Sequence, residues 1–237
     1  MTPPPAPPPG LVPEDLASVA LFADLDADQH RRLLENHRLL SVEADQLLVL
    51  EQDESQGLFL LRSGLVKVRG FDLDGQEAVL ALLGVGEICG EMAILNPDGL
   101  RSADVVTLTP VRVAVLRAAP FAGLLRSDAR LALALARLQA RRLQTLNHRL
   151  RLRGGDATTR LLATLVELAR RSAPGAAETD PIPPLPPREI ACLCGLARET
   201  ASRTLSSLRR RGLVANTPEG GLKLLNREDL RRRGLVV

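Results

Sequence analysis

The sequence predicts an α+β chain in three parts: an N-terminal antiparallel β-roll, a long helix, and a C-terminal helical unit closed by a hairpin. Three observations predict it. From about residue 40 to 117, short β-leaning runs alternate with turn signals, the pattern of a compact antiparallel roll. Residues 118 to 152 carry helical spacing, with one proline, Pro120, in the first turn and a single glycine, Gly123. After residue 187, two short amphipathic stretches flank Gly195, and two apolar runs follow around Pro218-Glu219-Gly220-Gly221.

The elements can be justified in order. Residues 1 to 10 are mostly proline, and residues 1 to 13 are expected as an extended, disordered tail. Leu16, Val19, Leu21, Leu25, Leu33, Leu34 and Leu39 give residues 14 to 38 helical spacing. Strands are expected at Gln46–Leu50, Leu58–Arg62, Leu65–Phe71, Glu77–Leu83, Ser102–Thr107 and Val111–Leu116, with Asp74-Gly75 as a hairpin turn. The roll therefore spans residues 14 to 117.

Residues 118 to 153 form the next unit, a helix and its hinge. At 1.5 Å per residue the helix would span about 50 Å, more than one small roll can cover. Leu131, Leu135 and Leu138 form an apolar seam, continued after a register slip by Leu143, Leu146 and Leu150. That seam suits a second copy of the same helix in a two-fold dimer; the alternative is packing on the chain's own domains. Gly154-Gly155 ends the helix as a hinge candidate able to take positive φ.

The last unit covers residues 154 to 237. Asp156 would cap a helix over residues 157 to 171. A Pro/Ala/Gly-rich linker covers 172 to 187. Helix 187–194, the Gly195 turn, helix 198–211 and a hairpin of Leu213–Asn216 with Leu222–Leu225 make a winged helix-turn-helix.

Composition narrows the function classes. Aromatics are 2% of the chain, with no Trp or Tyr, which argues against nucleic-acid binding by base stacking on aromatic platforms. Net charge is only +3, but Arg209-Arg210-Arg211 and Arg231-Arg232-Arg233 concentrate positive charge near the C-terminus. That placement suits a polyanionic partner, with a solubilising surface as the plain alternative. Cys89, Cys192 and Cys194 form no disulfide framework, so a reduced, cytoplasmic setting is expected. Cys-x-Cys without a further Cys or His pair reads as buried small side chains, and no metal is expected. No apolar run reaches the roughly 18 residues of a membrane helix. Met1-Thr2-Pro3-Pro4-Pro5 lacks the basic and apolar regions of a secretory signal, so none is expected. His30, His37 and His148 have no nucleophile or metal spacing around them, so no enzyme is expected.

Two motifs carry the chemistry. Arg198, Glu199, Ser202 and Arg203 lie three and four residues apart, hence on one face of the second helix of the winged unit. Arg can donate two hydrogen bonds to guanine O6 and N7, and Glu can accept one from cytosine N4. Leu205 and Leu208 turn inward from the opposite side. The second motif is Gly90-Glu91-Met92-Ala93-Ile94-Leu95, followed by Arg101-Ser102. A short helix over Glu91–Leu95 would aim free N–H groups at an anion. Arg101 offers a fork for phosphate oxygens and Ser102 a hydroxyl, while Glu91 suits a sugar hydroxyl. Together they describe a site for a phosphorylated ribose.

With both motifs in order, the chain resembles bacterial transcription regulators of the cAMP receptor protein (CRP/FNR) family over about residues 16 to 230. G-E-x(9)-R-S resembles the phosphate-binding cassette of cyclic-nucleotide domains, so the roll is expected to be of cyclic-nucleotide-binding type. By that resemblance Gly90 and Glu91 face the ribose, Arg101 and Ser102 the cyclic phosphate of cAMP, and Met92 belongs to the same ligand site. Arg198-Glu199-Thr200-x-x-Arg203 is similar to the family's recognition helix. Its arginines and glutamate would read a TGTGA-like half-site, with Thr200 on the backbone and Arg188 and Ser202 beside them. Leu146 and Asn147 match the positions of the family's purine contact, with Thr145 one step early. Leu146 can neither donate nor accept a hydrogen bond. Asp53 stands where the roll usually has a turn glycine, and Pro186 where the first helix of the motif usually has a Thr cap, with Pro187 suited to the first helical position. The N-terminal cysteine set of the iron–sulfur members is absent.

The resemblance implies a homodimeric, double-stranded-DNA-binding regulator controlled by cAMP or a related cyclic nucleotide, with RNA polymerase as a further partner. Two alternatives stand beside it: a ligand-independent regulator of the same family, and a cyclic-nucleotide-binding regulatory subunit without specific DNA binding.

Overall fold

The computed structural model describes residues 10–54 and 57–236. The expected proline tail lies for the most part outside these residues. Its last four residues do not behave as a tail: the Leu11 N–H donates to His37 Nε2 at 2.9 Å, and Leu11 is buried. Pro13 opens helix α1 (Pro13–Ala17), at the first helical position where its missing N–H costs nothing.

Helix α2 (Ala27–Leu34) has a capping box. Asp26 accepts from the Gln29 N–H, and the Gln29 side chain accepts from the Asp26 N–H. Helical spacing overruns here, because residues 38 to 42 are a strand. That strand is β1 (Arg38–Val42), followed by β2 (Leu47–Val49), β3 (Gly57–Ser63), β4 (Val66–Phe71), β5 (Glu77–Leu83), β6 (Ile88–Cys89), helix α3 (Glu91–Leu95), β7 (Asp104–Thr107) and β8 (Val111–Arg117). The strands form two antiparallel sheets, β1-β8-β3-β6 and β2-β7-β4-β5. Leu61, Val66, Leu83, Val105, Val111 and Val113 fill the space between them. At the β4–β5 hairpin, Asp72 Oδ1 accepts from the N–H groups of Asp74 and Gln76, and Gly75 takes positive φ. The turn near residue 53 takes its positive φ at Gln52 (67°) instead of Asp53.

The expected single helix is two: α4 (Ala118–Ser127) and α5 (Ala129–Leu152). The break is Asp128, held out of the helical region by its partners. Its carboxylate accepts from the Arg130 N–H and guanidinium and from the Gln29 side chain. Hydrogen bonding to Arg130, then to Gln29, holds this carboxyl well below the usual range. The seam also needs correcting. Leu131, Leu135 and Leu138 pack on the chain's own roll, in a core with Phe22, Leu58, Leu60 and Phe121. The exposed apolar stripe is Leu133, Ala136, Ala140, Leu143 and Leu150, with Asn147 inside it. Its alternating steps of three and four residues are the heptad spacing of a coiled-coil face.

Neither Gly154 nor Gly155 takes positive φ; the Gly155 N–H simply returns to the Leu152 carbonyl at 2.9 Å. Helix α6 (Ala157–Arg171) is capped by Asp156, whose Oδ1 accepts from the Thr159 N–H at 2.7 Å. Next come α7 (Pro187–Cys194), α8 (Arg198–Arg210), the hairpin β9 (Val214–Asn216) with β10 (Leu222–Leu224), and α9 (Arg227–Arg232). Pro186 stands at the N-cap of α7 and Pro187 at its first position. The linker is less free than its composition implies, because Ile182 pairs antiparallel with Leu222 and extends the wing.

The winged unit sits directly on the roll. Leu65, Leu82 and Leu108 of the roll share one core with Leu165, Ile190, Leu193, Leu205 and Leu208. Lys67 Nζ, on a side chain only 3% exposed, lies 2.7 Å from Glu77 of β5 and 2.7 Å from Glu189 of α7. Cys192 Sγ donates to Glu77 at 3.2 Å, and the Arg171 guanidinium donates to the Leu82 carbonyl.

Candidate functional sites

Strand β6 runs into Gly90, which sits at φ 90° and ψ −1° as the N-cap of α3. A Cβ there would lie 2.2 Å from Arg101 Nη1, so both the backbone conformation and the space require glycine. Arg101 is 6% exposed. Its Nη1 donates to the Gly90 carbonyl and its Nη2 to the Gly57 carbonyl, each at 3.0 Å. The guanidinium lies over the Phe59 ring, 5.5 Å from its centroid. Burial pulls the Arg101 pKa below its ordinary value, against the opposing pull of Cys89, Glu91 and Asp53.

Glu91 is 1% exposed. Its Oε1 accepts from Gln139 Nε2 at 2.8 Å and from Arg142 Nη1 at 2.6 Å, both on α5. Arg142 also donates to the Ile88 carbonyl. Glu91 Oε2 and Arg142 Nε are buried without a hydrogen-bond partner. The carboxylate expected to meet a sugar hydroxyl therefore joins α3 to the long helix. Gln139 and Arg142 escaped the sequence reading; their i,i+3 spacing was the available signal, but nothing local tied them to Glu91. Burial pushes the Cys89 thiol behind this site up to about 12, so it is neutral.

Ser102 and Met92 are exposed at the rim, with Ser102 Oγ 3.7 Å from Met92 Sδ. Leu146 is half-buried one turn beyond Arg142, and Asn147 lies in the exposed stripe. The structure thus brings Gly90, Glu91 and Arg101 together with Arg142, whereas Asn147 faces outward.

The second site is α8. Ala201, Leu205 and Leu208 are buried against α6 and α7, which turns Arg198, Glu199, Ser202 and Arg203 outward and leaves Thr200 half-buried. Among the described residues, no ion pair or side-chain hydrogen bond holds Arg198, Glu199 or Arg203. A merely solvated face laced by internal salt bridges would show such pairs. The α7–α8 turn is set by Gly195 at φ 60°. Arg160 of α6 clamps that turn: its Nε donates to the Cys194 carbonyl at 3.1 Å and its Nη2 to the Gly195 carbonyl. Arg188 stands apart from the free set, because its guanidinium pairs with Asp45 of the roll.

Among the described residues, no group of three or more His, Cys, Asp or Glu could hold a metal, and no helix is long and apolar enough to cross a membrane.

Comparisons with known proteins match both the roll and the winged unit. Residues 39–128 fit the model of the cyclic nucleotide-binding domain, and residues 159–233 that of the Crp-like helix-turn-helix domain. The chain is 36% identical over 167 residues to the cyclic AMP receptor protein of Thermus thermophilus, covering 70% of this chain and 74% of that one. It is 27% identical over 205 residues to the CRP-like cAMP-activated global transcriptional regulator of Mycobacterium tuberculosis, covering 85% and 90%. Among solved structures, the c-di-GMP responsive global regulator CLP of Xanthomonas campestris superposes with a TM-score of 0.66 at 26% identity, covering 85% of this chain and 100% of that chain. FixK2 from Bradyrhizobium japonicum superposes with a TM-score of 0.70 at 21% identity, covering 83% and 96%, a likeness of fold. With a cyclic-nucleotide-type roll, a Crp-like helix-turn-helix and these relatives, the chain belongs to the CRP/FNR family of DNA-binding transcription regulators.

Proposed function

We propose that the protein is a cytoplasmic homodimer that reads TGTGA-like half-sites, responds to cAMP and works with RNA polymerase. The observation that carries the reading is the exposed, unpaired Arg198-Glu199-Arg203 face on a helix whose far side is buried. Arg198 and Arg203 supply donor forks for guanine, and Glu199 an acceptor for cytosine. The exposed stripe of α5 supports pairing of two copies. Their recognition helices would then enter successive major grooves about 34 Å apart.

The cassette supports a nucleotide response through a partner exchange. Arg101 now donates to two neutral carbonyls. A cyclic phosphate offers it charge-assisted hydrogen bonds, which are roughly twice as strong. A ribose hydroxyl can donate to Glu91 Oε2, the buried oxygen without a partner. Because Arg142 ties Glu91 to α5, ligand at the cassette would bear directly on the long helix. A full switch from 1:99 to 99:1 would require about 5.5 kcal/mol of differential binding.

A second reading is a regulator active without ligand. Glu91 and Arg101 already have partners within the chain, and Leu146 brings no polar group to a purine. Fluorescence anisotropy on a TGTGA-N6-TCACA duplex, with and without cAMP, separates the two readings. Tighter binding with cAMP, lost in Arg101→Ala, supports the first; tight binding indifferent to cAMP supports the second. Equal affinity for a scrambled duplex would overturn base reading in both.

A further inference from the structure

Strand β7 follows directly on Arg101 and Ser102 of the cassette, and its first residue is Asp104. The backbone here is stitched to the loop between β2 and β3. The Gln52 N–H donates to the Arg101 carbonyl and the Arg101 N–H to the Asp53 carbonyl, each at 2.9 Å. Asp104 is buried, and its Oδ1 accepts from the Glu51 N–H of the same loop at 2.9 Å. Its Oδ2 accepts from Arg69 Nε at 3.2 Å, directly across the β4–β7 ladder.

From Arg69 a line of charge continues across the sheet. Arg69 Nη1 donates to Glu77 Oε2 at 3.1 Å. Glu77 Oε1 lies 2.7 Å from Lys67 Nζ, which lies 2.7 Å from Glu189 Oε2 on α7. The order is Asp104, Arg69, Glu77, Lys67, Glu189, and the sign alternates at every step. The most exposed of the five side chains is Arg69, at 24%, so the whole line is screened from water. Burial opposes the charged forms of Lys67, Arg69 and Glu77, yet the hydrogen bonds along the line win: the lysine and arginine pKa values are raised and that of Glu77 is lowered. A well-packed apolar patch of the same volume would seat α7 at least as firmly, so stability alone does not account for five buried charges. What alternating charge adds is register, because each group is satisfied in one placement of α7 only. The surrounding contacts of Leu65, Leu82 and Leu108 with Ile190 and Leu193 are non-directional and set no such register.

We propose that Asp104 and Arg69 are positioning residues for the winged unit: through Glu77 and Lys67 they fix α7 to the strand that follows the cassette. Among the described residues, neither makes a hydrogen bond or ion pair with α7 itself. A change at Asp104 reaches the first helix of the helix-turn-helix by releasing Arg69, which redistributes Glu77 between its two cations. The seat of the DNA-reading unit is thereby set from the cassette end of β7. The line is complete without a nucleotide at Arg101, so the inference does not rest on the cAMP response.

The test is amide hydrogen–deuterium exchange of the full chain without ligand. It is read at residues 190–194 of α7, with residues 58–61 of β3 as the control. Asp104→Asn keeps an acceptor for the Glu51 N–H and removes the charge; Glu189→Gln does the same at the other end. Each should speed exchange at 190–194 about fivefold or more and leave 58–61 unchanged. Together they should fall short of the product of the two effects by about twofold or more, although the two side chains share no hydrogen bond or ion pair. In an Arg69→Met background, which cuts the line, Asp104→Asn should no longer change exchange at 190–194. If Asp104→Asn does not fold, Arg69→Gln takes its place in the cycle with Glu189→Gln. Single variants that leave 190–194 unchanged overturn the proposal, as do effects that simply multiply. So does an equal rise at 58–61, the mark of general loosening, or an Asp104→Asn effect that survives Arg69→Met.

Discussion

Replacing Lys67 by Met should loosen the seat of the winged unit on the roll. The Lys67 side chain is 3% exposed and is bracketed by Glu77 and Glu189 at 2.7 Å each. Removing one partner of a buried ion pair costs about 3–5 kcal/mol, because a charge is left buried alone. Two features reduce that here. Glu77 keeps Arg69 at 3.1 Å, and the glutamate side chains are 22% and 14% exposed. The expected loss is therefore about 2–3 kcal/mol. The double variant Lys67→Met/Glu189→Leu removes the stranded charge and should recover part of it, with a coupling of about 1–3 kcal/mol. Urea unfolding followed by circular dichroism measures both, since the chain has no Trp or Tyr to report by fluorescence. The pH response has a definite sign. Burial acts to lower the Lys67 pKa, but its hydrogen bonds to Glu189 and Glu77 win and raise it above 10.5. Its contribution is present below that pH and lost as pH rises through the raised value. A single variant within about 0.5 kcal/mol of the parent, or a double variant no better than the single, would refute the reasoning.

Four further outcomes are expected. Gly90→Ala forces a Cβ to 2.2 Å from Arg101 Nη1 at φ 90°, so it should cost at least about 1–3 kcal/mol and displace Arg101, read as a lower Tm. Arg198→Ala and Arg203→Ala should each cost about 1–3 kcal/mol on the TGTGA duplex and relax preference at one guanine, with little change on random DNA. Asp156→Ala removes the α6 cap at a cost of about 1 kcal/mol at neutral pH. The Asp156 carboxyl is held below 3.8 by the Thr159 backbone N–H, so the cap's contribution fades as pH falls through that lowered value, and the parent and variant Tm should converge in acid. Leu143→Asp puts a charge in the exposed stripe and should yield monomers by light scattering if that stripe pairs two copies.

Much of the roll was legible because its strands are bounded by local turn chemistry; Asp72 to Gln76 close the β4–β5 hairpin within five residues. Strand β1 was not, because Leu39 and Leu40 continue the helical spacing before them, and a two-residue β6 carries no period at all. The break at Asp128 was invisible for a different reason. Asp is tolerated in helices, and its partner Gln29 is 99 residues away in sequence. Helix α5 carries two apolar stripes, and periodicity cannot tell which one the chain itself covers. The same limit applies at the sites. Arg198, Glu199 and Arg203 were legible because one helix presents them all. Arg142 beside Glu91, Arg160 on the Gly195 turn and Asp45 on Arg188 depend on contacts between distant segments.

The Arg160 clamp also decides how rotation travels through the molecule. Its guanidinium holds the last carbonyl of α7 and the carbonyl of the turn, so α6, α7 and α8 act as one stiff arm. The joint of that arm is the short segment between Leu152 and Ala157. Helix α6, 15 residues long, gives a lever of about 22 Å. A turn of about 10° at the joint then sweeps the far end by roughly 4 Å, comparable to the spacing of neighbouring base pairs at 3.4 Å per step. Small tilts of the long helix would in this way be magnified into a mismatch of one step along the groove.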